Sequence, residues 1–386
     1  MRGKIPGKDA IQLMSNDYLA IANHPDILNN QSDVLLNADG VILMSAVFLH
    51  GDSPQQRFEQ RLANFMESEQ GILCQSGWCA NTGLIQTIAD ENTPVYLDML
   101  AHTSLWEGAR SAGAPAVMFH HNDPHHLERQ VLKHGPGVIV VDAVYSTDGS
   151  VCPLQEIVDV GSRYSCVLVV DESHSLGTHG KQGEGIVAAL GLSDRVHFCT
   201  ASLAKAFAGR AGFITCSPRF SEYFKCESNP AIFSSTLLPH EVAGLDATLT
   251  VIQTEGWRRE RLHANADYLR MRLGELGYNL NGSESQIISL ESGTEQQTIV
   301  LRDALEARGI FGSVFCAPAT PKNRAIIRFS INSNLTKVEL DRITQVCADI
   351  RDDVDMENWP SSRRKRGTKN ISASLVSSDQ REAMLA

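Results

Sequence analysis

Cys166-Val-Leu-Val-Val-Asp171-Glu-Ser-His174 is a short apolar run, rich in β-branched residues, that stops at an aspartate. Its length and composition predict a strand buried on both faces, the kind found in parallel sheets. A second run of the same build, Gly137-Val-Ile-Val-Val-Asp142, precedes it, and Val95-Tyr96-Leu97-Asp98 comes earlier still. Between about 70 and 240 such runs alternate with helical segments, which is the βαβ rhythm of a doubly wound α/β fold. Each run delivers a carboxylate to a strand's carboxyl end, where open α/β sheets place their ligands.

Working outward, a helix is expected from about Pro54 to Met66, with Phe58, Leu62, Phe65 and Met66 at helical spacing. Residues 1 to about 40 are polar and turn-rich. Beyond about 240 the pattern changes to long helices, such as 256–277, and short strands near 286–290 and 324–331, which suits a smaller α+β domain. The expected division is an amino-terminal segment over 1–43 joining the small domain, a large domain over 44–240, the small domain over 241–356, and a disordered tail over 357–386. The tail holds the run Arg363-Arg364-Lys365-Arg366, read as a solvated terminus.

At 386 residues the chain exceeds the size of one compact core. A formal net charge of −11 argues against a nucleic-acid partner, whose phosphates demand a clustered positive surface. Nine cysteines lie scattered without metal-like spacing and read as reduced thiols. No charged-then-apolar leader is evident and no apolar run reaches the roughly 18 residues of a membrane span. A cytoplasmic protein without a membrane partner is expected.

The chemistry concentrates in Asp171-Glu-Ser-His174 and in Lys205, which closes Thr200-Ala-Ser-Leu-Ala-Lys205. A buried lysine whose amine is not held protonated serves as a Schiff-base nucleophile. An aspartate facing a pyridine nitrogen keeps that nitrogen protonated, which is what makes pyridoxal phosphate an electron sink. Taken singly, the aspartate also suits a helix cap and the lysine a solvent-facing loop; their joint occurrence is what points to a cofactor. In Cys74-Gln-Ser-Gly-Trp-Cys-Ala-Asn81 a strand turns into a helix, and Ser76 there suits either a phosphate-binding turn or a plain cap. His102 reads equally as a group stacked on a flat cofactor or as a hydrogen-bonded core residue. The cluster His120-His-Asn-Asp-Pro-His-His126 is broken by Pro124 and reads as a polar turn, so no metal is expected.

Two other enzyme classes fail on spacing. Asp171-Glu-Ser-His174 imitates a DExH box, yet no G-x-x-x-x-G-K-[ST] loop accompanies it: Gly3-Lys4, Gly7-Lys8 and Gly180-Lys181 are followed by Ile5, Asp9 and Gln182. No G-x-S-x-G elbow of a serine hydrolase follows Gly51 or Gly191. A non-catalytic relative of an enzyme fold is the remaining alternative.

Over residues 14–350 the sequence resembles the α-oxoamine synthases, and within them the branch that makes α-hydroxyketone quorum-sensing autoinducers. The resemblance is carried by Ser15-Asn-Asp-Tyr-Leu-Ala20, Gln75-Ser-Gly-Trp78, Ala101-His-Thr-Ser-Leu-Trp-Glu-Gly-Ala-Arg110, Asp171-Glu-Ser-His-Ser-Leu-Gly-Thr-His-Gly180, Thr200–Lys205 and Ile232-Phe-Ser-Ser-Thr-Leu-Leu-Pro239. It implies a fold-type I, aspartate-aminotransferase-like α/β transferase with a mostly parallel sheet in the large domain. The implied cofactor is pyridoxal 5'-phosphate, carried by Lys205 as a Schiff base, with Lys205 also the base that takes the α-proton. Asp171 is then the partner of the pyridine nitrogen, His102 the stacking ring and His174 the contact to the phenolic oxygen. The phosphate falls to the Gly77 and Trp78 amides and Ser202, with Ser235 and Thr236 reaching across from the second subunit of a homodimer. Ser146 is implied near the cofactor, and Arg328, aided by Asn16, as the clamp on the amino acid's carboxylate.

The implied reaction joins a small amino acid, of 2-aminobutyrate or S-adenosylmethionine type, to a medium-chain acyl-CoA, releasing CoA and CO2 and leaving an α-aminoketone. Sister activities, 8-amino-7-oxononanoate synthase and glycine C-acetyltransferase, share the same residues. Two features depart from the family: few residues precede Asn16 where an amino-terminal arm is usual, and the basic tail is unfamiliar.

Overall fold

The computed structural model describes residues 3–37, 44–49 and 51–361. The described chain divides into two compact units. One takes the residues up to Ala20, Ser146–Val151 and those from Trp257 on; the other takes Ile21–Tyr145 and Cys152–Gly256.

The larger unit is built on a seven-stranded sheet in the order Gln70–Cys74, Gly212–Cys216, Phe198–Ser202, Val167–Asp171, Val138–Asp142, Val95–Asp98, Ala116–Phe119. Gly212–Cys216 runs antiparallel to both its neighbours and the rest are mutually parallel. The runs ending in Asp98, Asp142 and Asp171 are therefore strands, and adjacent ones. Asp142 stands in register with Asp171. Val138, Val140, Val169 and Ile214 pack with Leu84, Ile85 and Leu105 into one apolar layer, where helices Gly77–Ile88 and Thr103–Ser111 cover the sheet.

The expected helix near 54 spans Pro54–Phe65. Ser53 and Gln56 close a capping box at its start, Pro54 occupies the first turn, and Phe58, Leu62 and Phe65 face inward. Helix Pro25–Asn37 lies in the region read as turn-rich and packs on helix Pro239–Thr254.

The smaller unit carries a four-stranded sheet in the order Ile11–Leu13, Ile310–Phe315, Ala325–Ser330, Ile287–Gly293, of which the first pair is parallel and the others antiparallel. Helix Trp257–Glu275 takes the place expected for 256–277. The boundary falls after Gly256 rather than at 240, because Pro239 opens a helix that stays with the larger unit. Residues 357–361, assigned to a disordered tail, continue the smaller unit: Trp359 is 1% exposed, donates Nε1 to the Val354 carbonyl at 2.9 Å and meets the Tyr278 ring edge-on. The expected boundary at 43 and the run Arg363–Arg366 lie outside the described residues. Among the described residues no helix is long and apolar enough to cross a membrane.

Trp359→Ala leaves a large void beneath Tyr278. It should lower unfolding stability of the full chain by about 3–5 kcal/mol in a urea titration; a loss below about 1 kcal/mol would show the segment to be peripheral.

Candidate active site

The carboxyl edge of the large sheet opens on a cavity lined by Gly77, Trp78, Asn81, His102, Ser104, Asp142, Asp171, Ser173, His174, Ser202 and Lys205. Seven residues singled out in the sequence meet there: Gly77, Trp78, His102, Asp171, His174, Ser202 and Lys205.

Asp171 closes its strand at 3% exposure, and both its oxygens are matched by donors. Ser173 N donates to Oδ1 at 2.8 Å and Asn81 Nδ2 to Oδ2 at 2.7 Å. A carboxyl group so buried is thus met by an N–H donor at each oxygen. Lys205 is half-buried, on the loop joining the antiparallel strands Phe198–Ser202 and Gly212–Cys216. The loop is held by Leu203 N on the Ala211 carbonyl and by Ala208 N on the carbonyl of Lys205 itself.

His102 precedes helix Thr103–Ser111. Its backbone N–H donates to Asp142 Oδ2 at 3.1 Å, and its Nδ1 lies 2.7 Å from Ser104 Oγ. Burial, and next the neighbouring Asp171 charge, hold the Asp142 carboxyl well above the usual carboxylate range. His102 is pulled below the ordinary imidazole value, first by burial; Asp171 opposes this and Lys205 adds to it.

At the turn at 76 the helix cap is formed. Ser76 Oγ accepts from Cys79 N at 3.1 Å, so the hydroxyl caps the helix and does not line the cavity. The helix it caps presents its first amides beside Ser202. A Cβ at Gly77 would come within 2.6 Å of Ser202 Cβ, and one at Gly212 within 2.1 Å of the Ser76 carbonyl oxygen, so glycine at both positions permits the close approach. A helix start, a hydroxyl and a space that side chains would fill make a cradle fit for a phosphate. Together with a half-buried lysine and a buried anion, it fits pyridoxal phosphate.

The remaining expected residues lie elsewhere. Arg328, Asn16 and Ser146 belong to the smaller unit, where Arg328 is 6% exposed. Its Nη1 donates to the Ser146 carbonyl at 2.8 Å and its Nη2 to Asn16 Oδ1 at 3.0 Å, while Nε has no partner. This is a buried guanidinium, not a charge at the surface. Ser235 is exposed and pairs as an isolated bridge with Ser45, and Thr236 N donates to the Met44 carbonyl. In the His120–His126 stretch Asp123 caps helix Pro124–His134, and His126 Nδ1 accepts from His120 N.

Sequence reading gave no role to Asn81, Ser104, Ser173 or Thr200. Asn81 carried a signal: a polar side chain in line with Ala80, Leu84 and Ile85 on a helix face that must be buried.

A family model for class I and II aminotransferases matches residues 8–346. The chain is 46% identical over 355 residues to a CAI-1 autoinducer synthase of Vibrio campbellii, covering 92% of this chain and 90% of that one. It is 32% identical to a putative 8-amino-7-oxononanoate synthase of Halalkalibacterium halodurans, over 86% of this chain and 84% of the other. Among solved structures it resembles a serine palmitoyltransferase variant from S. paucimobilis with pyridoxal phosphate and myriocin bound. The TM-score is 0.86 and the identity 26%, over 90% of this chain and 89% of that one.

Asp142→Asn keeps an oxygen for His102 N and removes the ionisation. The folded chain binds the Asp142 proton more tightly than the unfolded chain does, so on this account stability falls as pH rises above about 4. Urea unfolding of the cofactor-free protein should therefore fall off with rising pH more steeply for wild type than for the variant, by up to about 1.4 kcal/mol per pH unit. Parallel curves would mean that Asp142 is ionised in the fold.

Proposed function

The chain belongs to the class I and II aminotransferase family, and we infer that within it the protein works as an α-oxoamine synthase, a pyridoxal-phosphate-dependent acyltransferase. The observation that carries this reading is the meeting of Lys205, Asp171, His102 and the Gly77–Ser202 cradle around one cavity. The likeness to a CAI-1 autoinducer synthase and to two sister synthases supports acyl transfer over amino-group transfer.

Bound there, the cofactor supplies an electron sink for the α-carbon of the amino acid. The Gly77 and Trp78 amides and Ser202 would hold its phosphate. Asp171 would keep its ring nitrogen protonated, His102 would lie against it and His174 would meet its phenolic oxygen. Lys205 would carry it, and the Lys205 amine would serve as the base for the proton on the substrate's α-carbon. Arg328, with Asn16, receives the substrate carboxylate. A buried guanidinium whose Nε lacks a partner is suited to a planar anion.

The substrates are proposed as a small amino acid, of 2-aminobutyrate or S-adenosylmethionine type, and a medium-chain acyl-CoA. The products are CoA, CO2 and an α-aminoketone, the precursor of an α-hydroxyketone signal. The 46% identity to an autoinducer synthase favours this branch over the 8-amino-7-oxononanoate branch at 32%. The protein is proposed to act in the cytoplasm as a homodimer in which Ser235 and Thr236 complete the partner's site. The exposed Phe48 and Phe233, on segments that touch beside Ser235, support an interface there.

The test is the visible absorption of the purified protein with pyridoxal phosphate, on adding first a panel of small amino acids and then acyl-CoAs of increasing length. One amino acid should shift the band, and one range of acyl lengths should release CoA. In Lys205→Ala, turnover should fall by roughly 1,000-fold or more with the fold intact. A protein that takes up no cofactor, or a Lys205→Ala variant of ordinary activity, would overturn the assignment.

A further inference from the structure

The polar groups behind the cavity form a chain whose hydrogen positions are determined. Asn81 is 2% exposed and Ser104 is fully buried. Thr200 Oγ1 donates to Asn81 Oδ1 at 2.5 Å, while Asn81 Nδ2 donates to Asp171 Oδ2 at 2.7 Å and to Ser104 Oγ at 2.9 Å. The amide cannot be turned over, because its oxygen would then face the Asp171 carboxylate, acceptor against acceptor. Both Nδ2 hydrogens are committed, so Ser104 Oγ is an acceptor on that side. Its single proton is left for its other neighbour, His102 Nδ1, at 2.7 Å. Ser104 N also lies 3.3 Å from the same nitrogen.

We propose that Thr200, Asn81 and Ser104 form a one-way hydrogen-bond chain that fixes His102 as its neutral Nε2–H tautomer and closes Nδ1 to a proton. Ser104 and Asn81 are thus positioning residues that act through His102.

The charged and titratable groups around the ring make this consequential. Asp171 favours a cationic His102, Lys205 and burial oppose it, the Asp142 carboxyl is bonded to the His102 backbone N–H, and His174 lines the same cavity. A cationic His102 would compete for the Asp171 charge and would set a positive charge beside the Lys205 amine. A neutral one leaves Asp171 to the ring nitrogen and keeps the proton inventory of the site at Lys205. The catalytic use of the tautomer rests on the pyridoxal-phosphate reading; the tautomer itself does not.

It is therefore measured on the full chain without cofactor, labelled with 15N-histidine, by long-range 1H–15N correlation of the imidazole rings. His102 is picked out from the 13 histidines by its loss in His102→Gln. The wild-type ring should show Nε2–H, an unprotonated Nδ1 and a titration displaced below that of a free imidazole. Ser104→Ala should mix the tautomers and raise the ring's titration by about one unit, and Ser104→Thr, which keeps the hydroxyl, should restore the wild-type pattern. With pyridoxal phosphate bound, Ser104→Ala should also add an ionisation to the pH dependence of the cofactor absorbance. Nδ1–H in the wild type, titration of its ring like a free imidazole, or a Ser104→Ala ring identical to wild type would each overturn the proposal. If Ser104→Ala fails to fold, the wild-type spectrum decides alone. Failure to take up cofactor would sink the functional reading and leave this measurement valid.

Discussion

A carboxylate taken almost wholly out of water must have its oxygens met by donors, and at Asp171 that requirement organises the surroundings. One donor is local, from Ser173 N. The other arrives from another element: helix Gly77–Ile88 has to lie where Asn81 can reach across to Asp171. Asn81 sits one turn, about 6 Å, along the helix from Gly77. Meeting that carboxyl therefore also fixes the helix start that faces Ser202, and one amide sets both sides of the cavity.

The turns around it are packed as closely. Ser202 N donates to Ser173 Oγ, which ties the strand bearing Ser202 to the turn after Asp171. Gly77 and Gly212 then have no room for side chains, because the helix start, the Ser76 turn and two strand ends converge within contact distance. Glu172 is anchored in parallel: it accepts from Ile186 N and Val187 N, and so holds closed the glycine-rich loop that follows His174.

Much of this was legible because it is encoded locally. Strands buried on both faces appear as unbroken runs such as Val167–Asp171, and their terminal aspartates fall where a parallel sheet binds ligands. Lys205 and His102, singled out by motif, both line the cavity. What stayed hidden depends on distant partners. Strand Ile11–Leu13 is too short for a period to register, and it exists through pairing with residues near 310. Ser146–Val151 reads as the loop after a strand of the large sheet, yet Arg328, Ser283, Ser285 and Ser289 bond to its carbonyls and draw it into the smaller unit. Asn81 showed only that it had to be buried, and Ser104 showed nothing, because a hydrogen-bond chain is a property of four elements together. Trp359 was missed as a single apolar residue in polar company.

The pairing of Ile11–Leu13 with Ile310–Phe315 has a consequence for biosynthesis. The short strand leaves the ribosome roughly 300 residues before the strand it will lie beside. At roughly 5–20 residues per second that interval is on the order of tens of seconds. Throughout it Ile11 and Leu13, both buried in the finished protein, have no sheet to join. The nascent chain therefore carries this segment unpaired through most of translation, and the smaller unit's sheet closes only after residues near 310 are made.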